Sequence, residues 1–194
     1  YIDLRSEFEK DYHRIIGSAS FRRLQDKTQV FPLDKSDFIR TRLTHSLEVS
    51  SLAKSLGQNI AEYILQKNMD PEFTYPMKDD ICNILMCAGL IHDIGNPPFG
   101  HFGEDSIREW FQKHLASYYF KGQRITDILD EQMVRDFYLF EGNAQALRVV
   151  TRLHFLTGEH GMSLTYALLA AILKYPATSL EVDENVADIS RRKV

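Results

Sequence analysis

No apolar run in the 194 residues approaches the roughly 20 that a helix needs to cross a bilayer. The first residues, YIDLRSEFEK, lack the basic stretch and apolar core of a secretory leader, so a cytoplasmic protein is expected. Cysteine is nearly missing. Cys82 and Cys87 are the two, five apart in an apolar helical run without CxxC spacing, and they read as reduced core residues rather than thiolate ligands. Excess charge is also lacking: 23 basic against 27 acidic side chains give a net −4, which argues against wholesale nucleic-acid binding by charge. Only local basic clusters, Arg22, Arg23 and Lys27, then Arg40 and Arg42, keep a restricted patch open. There is no internal repeat, no low-complexity tract, and no sustained apolar-polar alternation of the kind strands show.

What is present is helical periodicity nearly everywhere, in a 22.5 kDa chain that is 44% hydrophobic and able to bury one core. An all-α fold is expected, with a core over residues 1–176, a peripheral insertion at 116–136 where the period weakens, and a polar tail at 177–194. The chain lacks an initial Met and is expected to be incomplete. Helices are predicted from Arg5 to Ile16 and from Ser18 to about Gln29. TRLTHSLEVSSLAKSLGQNIAEYILQ places His45, Val49, Leu52, Leu56, Ile60 and Tyr63 at three-to-four spacing, which puts His45 on the buried stripe of a long helix. Asp79 and Asp80 suit the start of the next helix, whose ICNILMCAGLIHDI run is apolar almost all round and ends at Gly95. A further helix over Glu104 to Leu115 is predicted, then an amphipathic one through FYLFEGNAQALRVVTRLHFL, and a last one, LTYALLAAILKY, capped by Ser163 and stopped by Pro176.

The chemistry concentrates in LIHDIGNPPFGHFGE, residues 90–104. His92 and Asp93 close the most apolar helix, where its unsatisfied carbonyls favour a cation. An adjacent imidazole and carboxylate can turn toward one ion, and His45 can supply a third ligand. Three N/O donors without thiolate suit a borderline or hard divalent metal with open positions for water and phosphate oxygens. The competing reading is a hydrogen-bonded core histidine at 45 and a loop carboxylate at 93. His101 follows a GNPPFG turn and has Glu104 three residues on to orient it, as a proton donor to a leaving oxygen or as an ordinary helix-start contact. Arg42, one turn before His45, can reach a phosphate on the same ion, whereas Arg22, Arg23 and Lys27 read as solvated-face charges. Gln29 and the EGNAQ segment, Glu141, Asn143 and Gln145, offer amides of the kind that read a sugar or base edge.

These strings resemble a known family. RRLQDKTQVFPL, RTRLTHSLEV, GLIHDIGNPPFGHFGE and FEGNAQ, in that order, are similar to the HD-domain metal-dependent phosphohydrolases, and within them to the deoxyguanosine triphosphate triphosphohydrolases. The resemblance implies an HD-domain helical bundle-like core and a divalent metal, Mn²⁺ or Mg²⁺ first, with Fe²⁺, Zn²⁺, Co²⁺ or Ni²⁺ also compatible. It implies His45, His92 and Asp93 as metal ligands, and cleavage of a dNTP between the 5′ oxygen and the α-phosphorus to a deoxynucleoside and tripolyphosphate. His101 would serve as the acid with Glu104 as its partner. Arg42 would contact phosphate, Gln29 and Asn143 the nucleoside, and Lys174 and Tyr175 would form a basic and aromatic pair near the phosphates. A homo-oligomer with a regulatory nucleotide is implied as well. The family's last metal ligand comes from a motif like AADDIxY far beyond FEGNAQ. Asp188 in VADIS is the formal candidate here, but its spacing is too short and RRKV replaces the tyrosine. Other readings are a different HD-type nucleotide phosphohydrolase and a non-catalytic module that senses nucleotides or binds nucleic acid.

Overall fold

A computed structural model describes residues 2–27, 29, 38–154, 161–183 and 185. Ser6 caps α1, Glu7–Ile16, through a capping box with Glu9. A short α2, Ala19–Arg22, runs into a 3₁₀ turn at Arg23–Asp26. The helix predicted from Ser18 to about Gln29 is thus two short pieces ending by Asp26, beyond which residues 27 and 29 pair by backbone hydrogen bonds with residues 42 and 40.

The pair α3, Arg42–Lys67, and α4, Tyr75–Ile91, forms the centre of the fold. Pro76 occupies the first turn of α4, so Asp79 and Asp80 fall in its second turn rather than at its start. The two helices approach very closely: a Cβ added to Gly89 would lie 2.6 Å from the Ser50 Cα, and the Ser50 hydroxyl donates to the Met86 carbonyl at 2.8 Å. Close approach selects small side chains, and α3 accordingly buries Ser46, Ser50, Gly57 and Ala61 along with Arg42. This overturns the stripe expected from periodicity: Leu52, Leu56, Ile60 and Tyr63 are 65%, 60%, 56% and 55% exposed. His45, predicted to share their face, is half-buried on the first turn.

The C-terminal half of α4 supplies Cys87, Leu90 and Ile91 to the core, followed by Ile94, where they meet Ile15, Phe21, Leu24, Ala146, Val150, Met162 and Leu168. Next comes α5, Gly100–His114, which begins one turn earlier than Glu104. Residues 116–136 hold a two-stranded hairpin, β1 Tyr119–Phe120 against β2 Gln123–Arg124, a short α6 at Ile125–Ile128, and the start of α7, Glu131–Tyr138. That hairpin is the sole sheet among the described residues, so the fold is all-α. The amphipathic helix predicted through FYLFEGNAQ is broken at residues 139–141, because Glu141 turns its side chain to cap α8, Gly142–Arg148, which continues into a π-helical turn at Val149–Leu153. The last helix, α9, spans Tyr166–Ile172 and is capped by Thr165, not Ser163. The buried Asp11 carboxylate accepts from both the Thr165 N–H at 3.0 Å and its hydroxyl at 2.7 Å, which anchors this cap to α1. Ser179, also buried, donates to Asp136 at 2.6 Å and so seats the first part of the polar tail on α7.

Candidate metal centre

His92 sits where α4 ends and its last carbonyls lack helical partners. One of these, Gly89 O, lies 2.8 Å from His92 Nδ1. A carbonyl oxygen can only accept, so Nδ1 carries a proton and Nε2 is the ring nitrogen available to ligate an ion. The His45 ring stands edge-on to it with centroids 5.2 Å apart. One ligand atom each from His45, His92 and Asp93 lie within 4.8 Å of one another. Two imidazoles and a carboxylate, converging without thiolate at the negative end of a helix, form a donor set that fits a divalent cation.

Asp93 is buried and held on both oxygens. Arg42, itself buried, donates from Nη1 to Oδ2 at 2.7 Å, and Asn96 donates from Nδ2 to Oδ1, also at 2.7 Å. Arg42 Nε is buried with no hydrogen-bond partner among the described residues. Lys27 is no solvated-face charge: its ammonium donates to the Asn96 carbonyl at 2.8 Å. Burial, with Arg42 and Arg23 nearby, lowers its pKa.

The other predicted residues fall in three places. In the first turn of α5, His101 Nδ1 lies 3.0 Å from Glu104 Oε2, while Glu104 Oε1 accepts the Gly142 N–H at 2.9 Å. The buried carboxylate therefore ties the start of α5 to the start of α8 and carries a histidine whose side chain is 88% exposed. Asn143 and Lys174 join His92 along a groove of about 380 Å³ between α3, α4, α8 and α9. Asn143, Lys174 and Tyr175 also line a neighbouring groove of about 270 Å³, where the Lys174 ammonium stands 5.1 Å from the Tyr175 ring centroid. Asn143 itself donates to Glu141. Neither groove is lined by Gln29, whose backbone N–H donates to the Arg40 carbonyl and whose Oε1 is buried without a partner among the described residues.

The HD domain family model matches residues 42–172. The chain belongs to the HD domain family. It is 59% identical over 182 residues to a deoxyguanosinetriphosphate triphosphohydrolase-like protein of Listeria monocytogenes, covering 94% of this chain and 39% of that protein. A protein of the same description from Pseudomonas aeruginosa is 49% identical over 175 residues, covering 90% and 37%. The deoxyguanosinetriphosphate triphosphohydrolase of Klebsiella pneumoniae is 38% identical over 196 residues, covering 89% and 37%. The chain thus spans less than two fifths of the length of each of these relatives.

The HD domain match includes Arg42, His45, His92, Asp93, His101, Glu104 and Asn143, and leaves Gln29, Lys174 and Tyr175 outside its bounds. Asp188 lies outside the described residues. Two residues beside the cluster of His45, His92 and Asp93 escape sequence reasoning. Asn96 carries a signal, since an amide three residues after a carboxylate in a Gly/Pro turn is placed to bond it. Lys27 carries none, because its contact depends on a chain crossing between residues 27 and 96 that no local pattern encodes.

Proposed function

We propose that this HD domain carries the metal and phosphate chemistry of a cytoplasmic dNTP triphosphohydrolase, acting within a homo-oligomer that also takes a regulatory nucleotide. The observation that carries the proposal is the convergence of His45, His92 and Asp93, together with the close similarity to triphosphohydrolase-like proteins. When bound, a divalent ion, Mn²⁺ or Mg²⁺, supplies Lewis acidity toward a phosphate oxygen. In the reaction, a water oxygen bonds to the α-phosphorus while one of its O–H bonds breaks and the proton passes to solvent, and the bond from phosphorus to the 5′ oxygen breaks. His101 passes its proton to that oxygen as the deoxynucleoside leaves. Glu104, fixed by Gly142, keeps the imidazole oriented. Arg42 and Lys174 balance the negative charge of the triphosphate, with Tyr175 flanking Lys174. Gln29 and Asn143 provide amides for the nucleoside.

The test is product identity. The intact protein, incubated with Mn²⁺ and dGTP, should release deoxyguanosine and tripolyphosphate, separable by ion-exchange chromatography. Release of pyrophosphate with dGMP, or of orthophosphate, would transfer the site to another class of nucleotide phosphohydrolase.

A further inference from the structure

We propose that Asn96 is a positioning residue for the metal carboxylate, its amide N–H orienting Asp93 Oδ1 toward the ion while Arg42 restrains Oδ2. The inference rests on the metal reading of the His45, His92 and Asp93 cluster. The two carboxylate oxygens have different surroundings. Asp93 Oδ1 is the oxygen beside His92 Nε2, 3.4 Å away, and is also the one that accepts from Asn96 at 2.7 Å. Oδ2 turns away to Arg42. The oxygen that shares the site with His92 is therefore the oxygen Asn96 controls. A carboxylate oxygen has two acceptor positions, so the amide bond uses one and leaves the other for the ion.

Asn96 is itself held on every side, as a positioning group must be. Its backbone N–H donates to the Asp93 carbonyl at 3.1 Å, and its own carbonyl accepts from Lys27. Its Oδ1 rests against Gly142, where an added Cβ would lie only 2.1 Å from it. Turning the amide over would set Oδ1 against the Asp93 carboxylate, acceptor facing acceptor, so the network defines the orientation. Gly142 is also the residue that donates to Glu104, so one glycine backbone touches both the amide that orients Asp93 and the carboxylate that orients His101. Any side chain there would disturb both.

Residues that hydrogen-bond a metal ligand commonly contribute about 10–100-fold to metal affinity. The experiment is a Mn²⁺ titration of the intact protein, followed by the electron paramagnetic resonance signal of free Mn²⁺. Wild type is compared with Asn96→Ala, with Asn96→Leu, which keeps the branched shape and removes the donor, and with His92→Ala. Melting temperatures taken without metal separate a folding defect from a binding defect. Both Asn96 variants should bind Mn²⁺ about 10–100-fold more weakly. They should also lose most of the metal-induced rise in melting temperature, while their metal-free melting stays near wild type. Wild-type affinity in both Asn96 variants, with binding lost in His92→Ala, would overturn the positioning role and leave the metal reading standing. The positioning role falls equally if their losses are matched by a fall in metal-free stability, since the amide would then act on the fold. Undiminished binding in His92→Ala, or none in wild type, would overturn the metal reading and this inference with it.

Discussion

On the proposed reading, ligands and proton donors make different demands, and His45, His92 and His101 differ in surroundings along that line. His45 and His92 present half-buried rings next to the end of an apolar helix, edge-on to each other and converging with Asp93 on one point. His101 is open to solvent and bonded to a buried carboxylate, which suits a group that must be recharged with a proton at each turnover. The two kinds of histidine should therefore fail differently. His45→Ala in the intact protein is expected to lose bound metal, as read by elemental analysis after dialysis. His101→Ala should keep wild-type metal content yet slow turnover by roughly two to four orders of magnitude. Metal retained at full stoichiometry in His45→Ala would remove it from the ligand set, and unchanged turnover in His101→Ala would end the acid assignment.

At the scale of elements, the outcome depends on which helix faces touch. Residues 92–104 are legible in the sequence because their chemistry is local: a histidine and an aspartate at a helix end, and a carboxylate one turn after a histidine. The face of α3 is not, because periodicity counts apolar residues, whereas the packing here is decided by the closeness of two backbones. Ser46, Ser50, Gly57 and Ala61 let α4 approach, and the larger Leu52, Leu56 and Ile60 turn outward. The Thr165 cap is equally hidden, since Asp11 lies 154 residues away in sequence. Urea unfolding of this chain should therefore separate the two kinds of position. Leu56→Ser should change stability by no more than about 0.5 kcal/mol, as exposed substitutions do. Gly89→Ala would press a methyl group onto the Ser50 backbone, which cannot swing aside as a side chain tip would, and should cost about 3 kcal/mol. Comparable costs for the two would mean that backbone closeness at Gly89 does not decide how α3 and α4 pack.

On the scale of the whole molecule, the site stands at the margin of a core that a single thiol helps to report on. Cys87 belongs to the α4 face that carries Leu90 and Ile91, is fully buried, and donates weakly from Sγ to the Phe8 carbonyl of α1 at 3.7 Å. Burial, and then the Asp11 carboxylate, push its pKa up to about 12 from an ordinary 9.0. Below pH 9.0 both folded and unfolded chains keep the thiol proton, and its contribution is whole. Between there and about 12 the unfolded chain releases the proton while the folded chain holds it, so stability is lost as pH rises. One proton sets the limit at about 1.4 kcal/mol per pH unit. Cys87→Ala lowers stability near neutral pH by emptying part of the core, and it removes this slope. Urea midpoints of wild type and variant, measured from about pH 8 to about pH 11, should therefore converge as the pH rises. Parallel curves would show that the thiol ionises alike in both states.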